Sequence, residues 1–318
     1  MLSTSKQETK PSGIYSDLSV LLRSRFWAKN LKLFSRQAAR GMLLGETRSR
    51  FRGRGMEFEE VRLYQAGDDI RSIDWRVTAR TGSTYTKLFC EEHERPVHII
   101  VDQRSSLFFG SQTQFKSVLA AELATGIAWA ALAGSDRIGG QVIGDYQECD
   151  IRAKRNKQAA LRFIHDLNTL NHRLPNKQQR SQTSEPSHTE LNTMTDSLRE
   201  CRRITRPGTA IFIISDFHDF DETSTKQLVN LGKHTDISLI HVVDPLEENL
   251  PLAGAVSISN GQQRAALQLG SNLVNHYQQQ LSKHTEELVR AAVSARAHYT
   301  KTTTARTARQ CLSEIFGK

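Results

Sequence analysis

Apolar residues along this chain recur at two spacings, one belonging to a strand and one to a helix. The run Val97-His-Ile-Ile-Val-Asp102 is short, apolar and closed by an acid. A buried parallel strand reads this way when its carboxyl end faces a site. The stretch Thr209-Ala-Ile-Phe-Ile-Ile-Ser-Asp216 repeats the layout. Further strands are predicted at 85–90, 137–143, 149–152, 237–243 and 298–302, and short ones through 56–92. Helices are predicted at 17–40, 113–133, 157–170, 189–204, 224–234, 272–295 and 304–316, each with an apolar side at helical spacing or small residues suited to close packing. Asn260-Gly261 centres a hairpin expected over 254–269. Residues 172–188 are rich in Pro, Gln, Ser and Asn without periodicity, as in a mobile surface loop. Strand alternating with helix predicts a three-layer α/β fold with a mostly parallel sheet.

Composition narrows the class. The chain has 318 residues, enough for one or two domains. Cys90, Cys149, Cys201 and Cys311 are far apart and form no C-x-x-C, which fits a reducing, cytoplasmic setting rather than a zinc or disulfide framework. No signal peptide is expected, since residues 1–13 are polar, and residues 1–15 read as a disordered terminus. The longest apolar stretch, 118–134, is interrupted by Glu122, Thr125 and Gly126, so no integral membrane segment is expected. The net charge of +9 is uneven: Arg23 to Arg54 hold ten Lys or Arg and one acid, Glu46. Such a segment suits a peripheral anionic partner, whether nucleic acid, lipid or an acidic protein, or a solvated face.

One segment resists that simple division. Gly67-Asp68-Asp69-Ile70-Arg71-Ser72-Ile73-Asp74-Trp75-Arg76 leads into Ala79-Arg80-Thr81. Gly67 reads as a turn, and the spacing of Ile73 and Trp75 suits a half-buried strand or an irregular anchored loop. Acids and arginines this close are expected to pair. The segment resembles the signature of the domain-of-unknown-function-58 family, roughly Gly-Asp-Asp-x-Arg-x-Ile-x-Trp and then Ala-Arg-Thr. Glu57-Phe58 and Val61-Arg62-Leu63-Tyr64 fit the same pattern, and the likeness runs on to Ser215-Asp216-Phe217. It covers most of residues 40–318. Gly67, Asp68, Asp69, Arg71, Asp74, Trp75 and Arg80 are thereby candidate interaction residues.

The resemblance implies a sheet domain of von Willebrand factor A type at 96–318, preceded by a small α+β region at 16–95 with the basic helix and the signature. A domain of that type often holds Mg²⁺ at the carboxyl edge of its sheet, where oxygen ligands and retained waters suit a hard cation. Its Asp-x-Ser-x-Ser loop is matched by Asp102 and Ser106, its threonine by Thr189, and its last aspartate by Asp216. Arg104 departs from the pattern, placing a permanent cation where a hydroxyl ligand belongs.

Motifs for nucleotide or proteolytic chemistry are missing. There is no G-x-x-x-x-G-K-[ST], no H-E-x-x-H and no G-x-S-x-G. Ser215-Asp216-Phe217-His218-Asp219 is the densest acid/histidine cluster, and a metal-dependent hydrolase using Asp102, Asp216 and His218 is one alternative. Nucleic-acid or anionic-membrane binding through 23–54 is another. The leading expectation is a non-catalytic interaction module. The resemblance implies an accessory partner of a MoxR-type AAA+ ATPase in assembly or maturation.

Overall fold

The computed structural model describes residues 13–34, 56–91, 95–174, 192–251, 254–259 and 264–317. They fall into two compact units. One joins Met1–Leu33 to Arg95–Lys318, and the other is Phe34–Glu94.

The larger unit is a three-layer α/β fold, as the alternating pattern requires. Its strands are β3 (Pro96–Asp102), β4 (Arg137–Ile143), β5 (Glu148–Lys154), β6 (Ala210–Ser215), β7 (Asp236–Val243) and β10 (His298–Thr303). They lie in the order β10-β7-β6-β3-β4-β5. Every pairing is parallel except β4 with β5. The centre reads as a continuous apolar run because both faces are covered: Ile99, Ile100, Val101, Ile211, Ile213 and Ile214 are solvent-free.

Alternation along β6 sorts the layers. Ile211 and Ile213 pack with Leu198 of α6 (Met194–Ile204), Leu228 of α7 (Glu222–Gly232) and Leu288 of α9 (Ser271–Ser294). Phe212 points the other way and meets Phe316 of α10 (Ala308–Phe316) edge to face. That second layer also holds α4 (Lys116–Ala133) and α5 (Lys157–Arg173). Nearly all of α4 is buried, so it carries small and apolar residues all round rather than one stripe. It is long and apolar enough to cross a membrane, yet 83% of it is buried inside the fold.

Several expectations change. The single helix expected over 17–40 is two short helices, α1 (Leu18–Arg23) and α2 (Arg25–Ala28). Asp17 caps the first, and Ser24 interrupts by bonding its hydroxyl to the Leu21 carbonyl. These helices belong to the sheet unit and not with the signature region: Leu21 and Ala28 are buried there, and Trp129 Nε1 donates to the Leu21 carbonyl at 3.2 Å. Of the expected disordered terminus, residues 1–12 lie outside the described residues, whereas Tyr15 stacks on His172. The basic stretch 35–55 also lies outside them. α5 runs to Arg173, past the expected start of the 172–188 loop, and residues 175–191 lie outside the described residues. α6 starts at Met194, five residues later than expected, because Thr193 caps it by accepting from the Asp196 amide. β8 (Gly254–Ser259) and β9 (Arg264–Leu269) pair antiparallel as the expected hairpin requires, and its centre, Asn260-Gly261, lies outside the described residues.

The smaller unit is an antiparallel hairpin of β1 (Met56–Leu63) and β2 (Tyr85–Glu91) with the signature between them. Gly67 has φ +107°, a conformation open to glycine, and turns the chain out of the strand. A 3₁₀ turn follows at Ile70–Ser72. The segment at Trp75 is neither strand nor loop but a helix, α3 (Trp75–Thr81), closed by the left-handed Gly82.

Candidate functional site

β3 and β6 are neighbours whose next helices, α4 and α7, lie on opposite faces of the sheet. A crevice opens beyond the carboxyl ends of such strands. Asp102 ends β3, and Asp216 follows β6. Phe217 comes next with φ +53°, a costly backbone conformation for a bulky residue. Its ring is buried, its amide donates to Ser215 Oγ at 2.9 Å, and its carbonyl accepts from His284 Nε2 at 2.9 Å. This turn brings Asp216 and Asp219 to the same edge.

Arg104 occupies the middle. Its Nε and Nη2 grip Asp102 at 3.0 and 2.7 Å, and its Nη2 and Nη1 grip Asp219 at 2.8 and 2.6 Å. The remaining Nη1 donor reaches the Asn192 carbonyl at 3.1 Å. All five donors of the guanidinium are thereby used. Asp102 is equally full. Oδ1 accepts from the Arg104 amide and Nε, and Oδ2 accepts from Nη2 and Ser215 Oγ. Asp219 Oδ2 also accepts from the Met194 amide at the start of α6.

A second cation stands beside the first. Lys116 Nζ lies 3.0 Å from Asp216 Oδ2 and 2.6 Å from Glu247 Oε1, and is almost fully buried. Asp216 Oδ1 accepts from Ser106 Oγ and the His218 amide, both at 3.3 Å. Beside this pair, Asp244 accepts from the hydroxyls of Ser111 and Thr304, and from the amides of Ser111 and Leu246.

Charge follows geometry. Burial pushes the Asp102 carboxyl up, against the pull of Arg104. Burial would do the same to Asp216 and Asp219, but Lys116 and Arg104 outweigh it and hold both below the usual carboxylate range. Both cations are raised: burial disfavours their charge, and the surrounding carboxylates more than compensate.

The metal expectation is tested by these bonds. A divalent cation needs free oxygen lone pairs, but Asp102 has none left and Asp216 already holds an ammonium. Among the described residues, no three His, Cys, Asp or Glu side chains converge to hold a metal ion. The residues present do not fit Mg²⁺. Ser106 joins the group only through its bond to Asp216, and Thr189 lies outside the described residues. His218 approaches Asp216 with its backbone amide, and its side chain is exposed.

Sequence reading missed Lys116, Glu247, Asp244 and Asn192. Lys116 carried a readable signal: it opens a largely apolar helix, where the helix dipole disfavours a cation. Glu247 lies 131 residues from Lys116, and Asp244 lies 133 from Ser111 and 60 from Thr304; nothing local announces such pairs.

The signature acids also differ from expectation. Among the described residues their ion pairs are with Arg62 and Lys87, and not with Arg71, Arg76 or Arg80. Asp68 binds Arg62 at 2.7 Å and the Gln65 amide; Asp69 caps the Arg71 amide. Asp74 caps the Arg76 and Val77 amides and faces Lys87 at 3.4 Å. Their job is to start turns, as short acids at helix N-termini do.

Residues 60–288 match the model of a family described as "Protein of unknown function DUF58". Uncharacterized proteins of Mycobacterium bovis and Mycobacterium tuberculosis are 28% identical over 234 residues, covering 74% of this chain and 69% of each relative. Among solved structures, a conserved hypothetical protein BatB from Bacteroides thetaiotaomicron aligns at a TM-score of 0.43 with 13% identity, over 69% of this chain and 96% of that one.

Proposed function

This chain belongs to the DUF58 family, and from that premise we propose that it is a non-catalytic docking protein whose sheet edge is held by resident cations. The observation that carries the reading is the saturated Arg104, which clamps Asp102 and Asp219 with every donor it has. A catalytic edge would leave a base, a nucleophile or a ligand position free. Here each carboxylate already holds a guanidinium, an ammonium or backbone amides. Compared with a von Willebrand factor A-type edge, Arg104 and Lys116 take over the neutralising role of the metal. They leave an ordered polar rim suited to recognition. The expected partner is a MoxR-type AAA+ ATPase, supported by the family resemblance, in a cytoplasmic setting.

The test is calorimetric titration with Mg²⁺ and Mn²⁺, on the wild type and on Asp216→Ala. The expected result is no saturable heat in either protein. Saturable binding that disappears in Asp216→Ala overturns the metal-free edge and reopens the hydrolase reading. Binding to a purified MoxR-type ATPase tests the partner, with Asp216→Ala as the variant that disturbs the edge.

A further inference from the structure

The signature segment spends its acids internally and leaves its arginines outside. Arg71, Arg76 and Arg80 are exposed, and among the described residues none pairs with a carboxylate. Two large apolar side chains stand in the same short segment: Ile70 is 66% exposed and Trp75 65%. α3 faces its hairpin with Val77 and Thr78, and the Thr78 hydroxyl accepts the Tyr85 amide at 3.0 Å. Its outward side is therefore Trp75, Arg76, Ala79 and Arg80. Holding an indole in water on a helix start fixed by Asp74 has no structural use within the hairpin unit. We propose that this face is a docking surface for an acidic protein surface that has an apolar socket for Trp75.

Charge and composition select that occupant. Three exposed guanidinium groups that pair with no carboxylate among the described residues favour an acidic partner, and they offer paired donors in the planar geometry that carboxylates match. Tryptophan and arginine are the residues that most often dominate protein–protein contacts. Nucleic acid is a poorer fit, since one indole gives no succession of stacking platforms and Ile70 has no use there. A lipid surface is also a poorer fit, since a seven-residue helix offers no extended apolar stripe to bury. The proposal rests on the docking reading but is tested apart from it: a negative result here, with a metal-free sheet edge, rejects this face alone.

The experiment uses the full chain. Of the three tryptophans, Trp129 is 5% exposed and Trp27 is half-buried, so acrylamide quenching reports mainly on Trp75. The free protein should show a readily quenched component that Trp75→Phe removes. A Trp75 shielded in the free protein means that the chain itself, or a second copy, covers the face, and overturns the proposal. A random peptide library is then selected on the wild type. The expected binders are acid-rich with a large apolar residue, and their binding falls at least ~10-fold in Trp75→Ala and in Arg76→Glu/Arg80→Glu. These positions are exposed, so melting should be unchanged and folding is not in question. Arg76→Lys/Arg80→Lys, which keeps charge but loses the fork, should recover only part of the affinity. Selected peptides without net negative charge, or unaffected by the variants, overturn the proposal. So does binding of a single-stranded oligonucleotide or of phosphatidylglycerol vesicles that the same substitutions abolish, because either assigns the face to another class of partner.

Discussion

Arg104 shows how one residue can redirect a site. A serine at this position would offer one hydroxyl; arginine brings five donors and a permanent charge into a crevice where Asp102 is solvent-free. The departure was legible because Arg104 lies two residues from Asp102 in the chain. Its second partner, Asp219, was not, since only the left-handed Phe217 brings that acid across. Glu122 is a different case of a buried acid. It sits in α4, and burial alone pushes its carboxyl up to about 7. A carboxyl raised in the folded state costs nothing while protonated, below its ordinary value of 4.5. The penalty grows as pH rises from there and is complete above about 7. Glu122→Gln should therefore stabilise the protein by about 1–2 kcal/mol at pH 8 and by little at pH 4, read from urea midpoints at the two pH values.

At the scale of elements, capping decides where helices begin and end. α9 ends in a Schellman motif: the Arg296 amide reaches the Val293 carbonyl at 3.0 Å and the Ala297 amide reaches Ala292 at 2.8 Å. That geometry places Arg296 at φ +54°, where glycine is at ease and arginine is not. Arg296→Gly should raise stability by about 0.5–1 kcal/mol, seen as a higher thermal midpoint. The same rule explains the signature. Asp69 and Asp74 are short acids followed by helical turns, which is a start signal as much as a charge cluster. The alternation of Ile73 and Trp75 pointed to a strand because seven residues are too few to show a helical period.

For the whole molecule, the larger unit depends on a piece that comes first in the chain. Leu21 and Ala28 are buried, and Trp27 approaches Gly126 so closely that an added Cβ would lie 2.8 Å from its ring. Ser16 donates its amide to Asn171 at 2.7 Å. A protein reduced to residues 95–318 would expose that face of α4 and leave Asn171 short of a partner. It should lose at least about 3 kcal/mol and bind a hydrophobic dye, whereas joining 1–33 directly to 95–318 should keep the melting of the larger unit near wild type.

The sequence by itself determined the layering and the strands. Apolar runs of period two or none, separated by helical runs, admit few other arrangements, and an acid closing each central strand marks which edge carries polar chemistry. It also determined the family, through a long signature of mixed chemistry. What only the tertiary structure decided was partnership. Asp102, Arg104 and Asp219 form one cluster, and Lys116 with Asp216 and Glu247 another. The reason is physical: apolar periodicity is written locally, because each element must bury its own side. A buried charge instead takes its partner from whatever the crossing connections bring near, and the sequence carries no local record of that encounter.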